Sequence, residues 1–343
     1  MKIIRLKAPA SAANLAVLNE EPLAPKAGEV LVRVSASSVN PHDDFVVRGI
    51  IPTADGRVPL SDGAGEVVAC GEGVTDLRVG DAVISAFWPY WQSGEMSVAT
   101  KREIPGETVD GYAREYACAP AHFFTRAPKG LSHAQAATLP CAGVTAWRGL
   151  IVQGRVKPGD TVLVMGSGAV SLFSLQFAKA AGARVIATSS SDQKLEMLAR
   201  LGADDLINYR TTPSWGEQAR KLTDGRGVDH VVEVGGPATF AQSIAACRLG
   251  GHIAVIGLLS GVEAQVNIPA LFSGQIRVSG ISIGSRADQE DMVRAIEVNR
   301  IRPVIDRSFG FEEIGAAFEY SRAQGRFGKV GIEIWGGGQV RFD

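Results

Sequence analysis

The stretch Thr161 to Ser191, TVLVMGSGAVSLFSLQFAKAAGARVIATSSS, has the pattern of a strand, a glycine turn, a helix and a second strand. Its first five residues, Thr161 to Met165, form the short, mostly β-branched run that a parallel strand buried on both faces requires. Glycines break this run, and apolar residues then recur at helical spacing up to Gly182, where a helix would stop before the strand Arg184 to Thr188. This order predicts half of a dinucleotide-binding unit, because backbone amides at such a helix start can hold a pyrophosphate.

The glycine turn matches most of the dinucleotide fingerprint G-x-G-x-x-G. Gly166 and Gly168 fill the first two glycine positions, and Ser171 stands at the third, where helix and strand pack closely. Serine is small enough for that packing, so the context favours a nucleotide site over a plain glycine turn. The predicted cofactor contacts of this turn are Gly166, Ser167, Gly168, Ala169 and Val170.

Length and composition limit the classes of protein that the chain can form. At 343 residues, of which 45% are apolar, the chain is expected to form two domains, each with its own core. The net charge of −1 and the pI near 6.5 provide no electrostatic footprint for nucleic acid or for an anionic membrane. We therefore expect a small-molecule substrate, with no nucleic-acid partner and no membrane association.

The cysteines and the N-terminus indicate the cellular compartment. The four cysteines lie far apart without a C-x-x-C pair, which argues against a disulfide framework and against a zinc ribbon. The N-terminal MKIIRLKAPA lacks the apolar core of a signal peptide, and no apolar run of about 18 residues occurs. We therefore expect a soluble protein of the reducing cytoplasm.

The chain has strand-rich ends and an alternating middle. Residues 1 to 83 have short strand patterns separated by Gly/Pro-rich joints, which is typical of a twisted β domain. From Asp160 onward, six strands alternate with helices, which predicts a doubly wound parallel sheet. The tail is predicted to form a helix over Arg286 to Asn299, a strand around Arg302 to Phe309, a helix over Phe311 to Gln324 and a last strand, GKVGIEI.

A cluster of aromatic residues, Phe87-Trp88-Pro89-Tyr90-Trp91, lies in a predicted loop after the β-rich segment. Such side chains suit the wall of an apolar substrate cleft, because loops carry much of the function of enzymes. The alternative is that they fill a small satellite core. The predicted substrate contacts are Phe45, Trp88, Tyr90 and Trp91.

Several short motifs give the chain a family resemblance. These are the run Gly63 to Val68, the run Lys157 to Asp160 ahead of the glycine turn, and Phe327-Gly328-Lys329 near the end. With the order of a β domain, a nucleotide domain and a returning tail, the chain resembles the medium-chain dehydrogenase/reductase superfamily over nearly its whole length. The resemblance implies a GroES-like β-rich catalytic domain over residues 1–127 and 285–343 and a Rossmann dinucleotide-binding domain over residues 128–284.

The sequence departs from the zinc-dependent members of that superfamily, which hold a catalytic zinc through a cysteine, a histidine and a second cysteine. Asn40 replaces the first cysteine and Ser61 the histidine, followed by Asp62 where those enzymes have a glutamate, while Cys141 remains. A catalytic zinc requires three good protein ligands, so no zinc is expected. The structural zinc lobe is absent as well, since residues 86 to 111 contain no cysteine. This departure resembles the zinc-independent quinone oxidoreductase and enone reductase branch.

Hydride transfer without a metal needs hydrogen-bond donors at the acceptor oxygen, where negative charge develops. Asn40 is the first candidate for that donor. His42 is a candidate proton donor near neutral pH, with a purely structural histidine as the alternative. Asp43 is expected to orient neighbouring groups, with a purely structural carboxylate as the alternative. Ser61 is expected to add a polar contact.

The end of the second strand of the nucleotide unit bears on the choice of cofactor. An acidic residue there would bind a free ribose 2′-hydroxyl. This chain instead has Ser189 and Ser190, followed by Lys194 in the next predicted helix and Tyr209 after the next predicted strand. This set resembles a 2′-phosphate pocket, which favours NADP(H) over NAD(H) and leaves NAD(H) as the alternative. The resemblance adds further cofactor contacts at Thr145, Val234, Gly235, Ile256, Gly257, Leu258 and Lys329.

Together these features predict a zinc-independent, NAD(P)H-dependent oxidoreductase that reduces a quinone or an α,β-unsaturated carbonyl compound. Two alternatives remain: an alcohol or aldehyde dehydrogenase of the same fold, and an NADPH-binding protein without turnover. The resemblance also implies a homodimer that pairs through the strand Arg277 to Ile283, although an edge strand can instead be capped within the monomer.

Overall fold

The computed structural model describes residues 1–323 and 325–335. The chain divides into two compact units, the first formed by Met1–Val144 and Gly284–Asp343 and the second by Thr145–Ile283. For comparison, the sequence-based prediction places the two domain boundaries between residues 127 and 128 and between residues 284 and 285. Gln324, the predicted end of the last helix, and residues 336–343 of the predicted catalytic domain lie outside the described residues.

The first part of the chain is rich in strands. Its elements are β1 (Lys2–Leu6), β2 (Leu15–Asn19), β3 (Glu29–Val39), α1 (Pro41–Val47), β4 (Ala64–Cys70), β5 (Ala82–Ser85), β6 (Tyr116–Pro120), β7 (Phe124–Arg126) and α2 (His133–Ala136). Short 3-10 turns occupy Ala12–Asn14 and Ala121–Phe123, and a π-helical segment occupies Leu139–Gly143.

Strands and helices alternate in the second unit. It begins within the short helix α3 (Val144–Trp147), which a π-helical segment, Arg148–Gln153, follows. Its elements are β8 (Thr161–Met165), α4 (Ala169–Ala180), β9 (Arg184–Ser189), α5 (Asp192–Arg200), β10 (Asp205–Asn208), α6 (Trp215–Lys221), β11 (Val228–Glu233), α7 (Pro237–Ala246), β12 (Cys247–Val255), α8 (Ile268–Gly274) and β13 (Arg277–Gly280). The chain then returns to the first unit as α9 (Arg286–Asn299), β14 (Ile305–Gly310), a 3-10 turn (Phe311–Glu313), α10 (Ile314–Arg322) and β15 (Lys329–Glu333).

The second unit contains a six-stranded parallel sheet in the order β10-β9-β8-β11-β12-β13. All five residues of β8 are buried, which explains why that strand needs an almost continuous apolar run. The predicted parallel sheet is therefore confirmed. Because all the strands run in one direction, the residues that follow β8, β9, β11 and β12 lie together at the carboxyl end of the sheet. Open α/β sheets bind their ligands at this end.

The first unit contains a seven-stranded sheet in the order β14-β15-β3-β4-β5-β7, with β6 also paired to β3, and a separate antiparallel pair, β1 and β2. The strand-rich first unit that the sequence predicts is thereby confirmed. Strand β15 lies beside β3 with Val330 opposite Val39. This register brings Lys329, at the start of β15, next to Asn40 at the end of β3. Among the described residues, no helix has the length and apolar character needed to cross a membrane.

Candidate active site

The end of strand β3 and the start of helix α1 are tied to the loop before β4. Asn40 precedes Pro41, whose ring suits the first position of a helix. One carboxylate oxygen of Asp43 accepts a hydrogen bond from the Asn40 backbone N–H at 2.9 Å, and the other accepts from the Ser61 backbone N–H at 2.8 Å. These two bonds fix the Asp43 carboxylate between helix α1 and the loop, and its orienting role remains a prediction. Burial alone would raise the pKa of Asp43, but His42 and Lys329 outweigh burial, so the pKa is lowered.

The loop that carries Ser61 and Asp62 has a strained backbone. Leu60 is fully buried and has a φ of 74°, a left-handed conformation that leucine seldom adopts. Its carbonyl oxygen accepts from the Tyr112 backbone N–H at 2.8 Å. Such strain persists only where the surroundings hold it, and it marks this loop as a functional candidate.

Asp62 joins Asn40, Ser61 and Cys141, the three positions that the family resemblance assigns to zinc ligands or their replacements. Its carboxylate accepts from Asn40 Nδ2 at 2.8 Å, from Ser38 Oγ at 2.6 Å and from the Cys141 backbone N–H at 3.0 Å. The Asn40 amide also lies 3.4 Å from Ser61 Oγ. The predicted neighbourhood of Asn40, Ser61 and Cys141 is therefore present in the structure, and Asp62 is at its centre.

A lysine completes this cluster. Lys329 is 3% exposed, and its Nζ donates to Asn40 Oδ1 at 2.6 Å, to Asp62 Oδ2 at 3.0 Å and to the Val39 carbonyl oxygen at 3.1 Å. An ammonium has three N–H donors, and all three are used within the first unit. The β15–β3 register directs this ammonium to Asn40 and Asp62, and the cofactor contact of Lys329 remains a prediction.

These donor groups do not fit a catalytic zinc. The oxygen of the Asn40 amide is engaged by an ammonium, Ser61 offers a neutral hydroxyl, and Cys141 is the one thiol among the three positions. A zinc site requires thiolate, imidazole or carboxylate ligands that are free to coordinate. Within the described ranges, no group of three His, Cys, Asp or Glu side chains is arranged to hold a metal ion.

His42 lies on helix α1 between two carboxylates. Its Nε2 lies 2.8 Å from Glu107 Oε2, its Nδ1 lies 3.7 Å from Asp43 Oδ1, and its ring contacts the Phe87 ring edge-on at 5.1 Å. Burial lowers the pKa of His42, but Asp43 and Glu107 together outweigh burial, so the pKa is raised above 6.5. This environment favours the protonated imidazolium, the form that a proton donor needs.

The two tryptophans of the aromatic loop are almost fully buried, whereas side chains that line an open substrate cleft would be partly exposed. Trp88 and Trp91 are 4% and 1% exposed, and Trp91 Nε1 donates to the Gly94 carbonyl oxygen at 3.1 Å. Tyr90 is partly exposed and packs against His122, while the Arg102 guanidinium stacks 3.9 Å above its ring. The contacts of the two tryptophans match the satellite-core alternative. Phe45 is partly exposed on α1, and the substrate role of these four residues remains a prediction.

The glycine turn of the second unit has the geometry that a nucleotide site needs. Gly166 has a φ of +69°, and a Cβ added at Gly166 or Gly168 would meet no atom within 4 Å. The turn therefore leaves open space beside the first residue of α4. Ser171 is 1% exposed and its Oγ donates to the Met165 carbonyl oxygen at 2.6 Å. The serine at the third glycine position thus joins helix to strand by a hydrogen bond. Ser167, Ala169 and Val170 complete the turn and the first helical residues.

The residues predicted to hold a 2′-phosphate lie around the ends of two neighbouring strands. Asn208, the last residue of β10, pairs with Ser189, the last residue of β9, and the Tyr209 backbone N–H donates to the Ser189 carbonyl oxygen at 3.1 Å. Ser190 is partly exposed, Tyr209 is 41% exposed, and Lys194 lies in the first turn of α5. The last residues of β9 carry no carboxylate, and the Asp192 carboxylate at the start of α5 accepts from Asn208 Nδ2 at 2.7 Å.

Two further predicted cofactor loops follow β11 and β12 and are joined by Glu233. This fully buried carboxylate accepts from the Gly235 and Gly236 backbone N–H groups at 2.8 and 2.9 Å and from Thr239 Oγ1 at 2.6 Å. The Glu233 carbonyl oxygen accepts from the backbone N–H groups of Ile256 and Gly257. A Cβ on Gly257 would lie 1.8 Å from the Val234 carbonyl oxygen, so only glycine fits there.

Of the other predicted cofactor residues, Leu258 is 55% exposed beside these loops, and Thr145 is 4% exposed at the start of the second unit. Two further carboxylates at these sites, Glu107 and Glu233, are not predicted by the sequence pattern. Glu107 lies in an irregular segment that gave no signal. Glu233 had one, since it is a charged residue at the end of an otherwise buried strand.

Comparison with known proteins adds to this geometry. Residues 26–129 match the family model of the alcohol dehydrogenase GroES-like domain, and residues 169–298 match that of the zinc-binding dehydrogenase. A zinc-type alcohol dehydrogenase-like protein of Schizosaccharomyces pombe is 43% identical over 316 residues, which are 90% of this chain and 91% of its own. The acryloyl-coenzyme A reductase of Metallosphaera sedula is 29% identical over 89% of this chain and 92% of its own. A crystal structure from Sinorhizobium meliloti 1021, assigned to the alcohol dehydrogenases, has a TM-score of 0.91 and 39% identity over 97% of this chain and 99% of its own.

Proposed function

The chain belongs to the medium-chain dehydrogenase/reductase superfamily, and from this premise we propose that it is a zinc-independent, NADPH-preferring oxidoreductase that reduces a quinone or an α,β-unsaturated carbonyl compound. The observation that carries the proposal is the Asn40, Asp62 and Lys329 cluster, in which amide, carboxylate and ammonium groups bond to one another. Conjugated acceptors suit such a centre, because conjugation spreads the developing negative charge and reduces the need for a metal. A relative named as an acryloyl-coenzyme A reductase supports the same substrate class.

The residues of the second unit support a nicotinamide cofactor. The open turn at Gly166 and Gly168 would hold the pyrophosphate, and the loops after β11 and β12 would contact the remainder. Ser189, Ser190, Lys194 and Tyr209 would hold a 2′-phosphate, and the absence of a carboxylate at the end of β9 favours NADPH. When bound, the cofactor supplies the hydride.

The residues of the first unit would stabilise and protonate the acceptor. One N–H of the Asn40 amide donates to Asp62, and the other faces Ser61 Oγ at the longer distance of 3.4 Å. We assign this second N–H to the acceptor oxygen, where it would stabilise the negative charge that develops during reduction. His42, which Asp43 and Glu107 favour as the imidazolium, would supply the proton.

The proposed homodimer and cytoplasmic location rest on the second unit and on the cysteines. Strand β13 is the edge of the parallel sheet, and Val278 within it is 41% exposed. An apolar edge of this kind is suited to pairing with a second copy of the chain. The cysteines, which lie far apart in the sequence, suit a reducing compartment.

A panel of acceptors tests the proposed reaction. Chelator-treated protein is incubated with NADPH or NADH and with a quinone, an enone or a simple aldehyde, with and without added zinc, and loss of the reduced nicotinamide is followed by absorbance. We expect turnover of the quinone or the enone, unchanged by zinc and with a higher kcat/KM for NADPH than for NADH.

The other outcomes of the panel identify the alternatives. Turnover of the aldehyde alone, or activity that requires zinc, would establish an alcohol or aldehyde dehydrogenase, as the names of several relatives suggest. Tight NADPH binding without oxidation by any acceptor would establish a nucleotide-binding protein without turnover. Either result overturns the proposed reaction.

The proton-donor role of His42 predicts a specific pH dependence. The imidazolium is present below its pKa, which is raised above 6.5, so kcat for reduction should fall as pH rises through that pKa. His42→Asn should remove this descending limb and lower the plateau by roughly 100-fold. Glu107→Gln removes one of the two carboxylates that raise the pKa and should shift the limb to lower pH. A profile that is the same in all three proteins would assign His42 a purely structural role.

A further inference from the structure

The Asp62 cluster contains one buried cation, and that cation is part of the protein. Lys329 reaches Asp62 from a position 267 residues further along the chain, because β15 pairs with β3 and β3 pairs with β4. Its ammonium is 3.0 Å from the Asp62 carboxylate and 2.6 Å from the Asn40 amide oxygen. The pair is closed off from solvent, with side-chain exposures of 4% for Lys329 and 0% for Asp62.

The chemistry of these partners determines which way the Asn40 amide points. Lysine has only donors, so the amide atom that faces Lys329 must be the oxygen. An ionised carboxylate has only acceptors, so the amide atom that faces Asp62 must be the nitrogen. The two contacts therefore agree on one orientation, in which the Asn40 N–H groups face Asp62 and Ser61.

The same contacts place the ammonium among the residues that replace metal ligands in this chain. Asn40 accepts from Lys329 directly, and Ser61 and Cys141 are joined to the same centre through Asn40 and Asp62. A divalent cation brought to this cluster would meet a positive charge a few ångströms away and oxygen atoms that already accept hydrogen bonds. Lys329 thus supplies positive charge and excludes further cations.

We propose that Lys329 is an internal cation that occupies the electrostatic place of a metal ion in this chain and acts as a positioning residue for Asn40. Its charge balances Asp62, and its bond to Asn40 Oδ1 fixes the amide so that the N–H on the Ser61 side is available to the acceptor oxygen. The positioning role rests on the proposed function, in which Asn40 donates to that oxygen. The proposed exclusion of a metal ion from this cluster does not depend on which reaction the protein catalyses.

Metal uptake by redesigned proteins tests the electrostatic part. In the full chain, N40C/S61H introduces a thiolate and an imidazole beside Cys141, and the variant is compared with N40C/S61H/K329M by titration with Co²⁺. We expect the triple variant to bind about one Co²⁺ per chain with thiolate-to-cobalt absorption. Its affinity should exceed that of the double variant by at least about 100-fold, because the competing positive charge has gone.

A second triple variant, N40C/S61H/K329Q, covers the case in which methionine prevents folding, because glutamine is also neutral but can still donate hydrogen bonds. It should bind Co²⁺ as the methionine variant does. Equal affinities with and without Lys329, or no uptake by any variant that folds, would overturn the proposal.

Steady-state kinetics test the positioning part. K329M should lower kcat for the enone or quinone by about tenfold or more with KM nearly unchanged, because only the charge that develops in the transition state loses its oriented donor. K329R should recover part of kcat, since arginine keeps the charge and the donors. Equal kcat in K329M and the unaltered protein would overturn the positioning role. The Co²⁺ titration remains informative if no acceptor is reduced, so failure of this inference is distinguishable from failure of the proposed function.

Discussion

Lys329→Met should lower the free energy of unfolding by about 3 to 5 kcal/mol, because it leaves the Asp62 carboxylate buried without its counter-ion. Asp62 is fully buried, and its remaining donors are neutral hydroxyl, amide and backbone groups. The replacement also removes a donor from the Asn40 amide oxygen and from the Val39 carbonyl oxygen. Urea denaturation followed by circular dichroism measures the loss.

A double-mutant cycle separates the ion pair from the loss of packing. Asp62→Asn in the Lys329→Met background removes the buried charge, so the double variant should lose less stability than the sum of the two single changes. Lys2→Met is the matched control, since Lys2 pairs with Glu312 at the exposed surface and its removal should not change the unfolding midpoint measurably. Additive losses from Lys329→Met and Asp62→Asn would show that the two charges do not stabilise each other.

Asn40→Ala should lower kcat for reduction of the enone or quinone by about 100- to 1,000-fold, which is the usual effect of removing one oxyanion donor. The N–H that faces Ser61 is the proposed donor, and its contact with Ser61 Oγ at 3.4 Å is the weakest in the cluster. KM should change little, because the interaction strengthens as charge develops on the acceptor oxygen. Stopped-flow measurement of single turnovers with excess protein isolates the hydride-transfer step.

The control for this variant is Asn299→Ala, which removes an exposed amide that bonds to the Ala295 carbonyl oxygen on helix α9. This change should leave kcat and KM as they are in the unaltered protein. Asn40→Ala also removes the acceptor of a Lys329 N–H, so its unfolding curve is recorded alongside the kinetics. A kcat within about threefold of the unaltered protein, in an Asn40→Ala variant that remains folded, would exclude Asn40 as the oxygen donor.

The nucleotide unit could be predicted from the sequence because its signals are local. The apolar run of β8, the glycine turn and the helical spacing of α4 lie within consecutive residues, and the structure confirms each of these elements. Ser171 was correctly expected to fit at the third glycine position, although its hydrogen bond to the Met165 carbonyl oxygen has no counterpart in the sequence pattern. Parallel sheets need buried strands and helical crossovers, and both leave periodic patterns.

Some assignments could not be made from local pattern. Glu107 contacts His42 across 65 residues, from a segment without regular structure, so nothing near His42 in the sequence identifies its partner. The aromatic loop shows the same limit, because composition does not distinguish a cleft wall from a satellite core. It is the burial of Trp88 and Trp91 in the structure that favours a satellite core for those two side chains.

The sequence by itself determined the parallel sheet and the glycine turn, because each depends on residue type and short-range spacing. Only the tertiary structure decided where the Lys329 ammonium lies. The pairing of β15 with β3 brings its ammonium to Asn40 and Asp62. Strand pairing joins residues that are hundreds of positions apart, and the energy of a buried charge depends on what lies within a few ångströms of it.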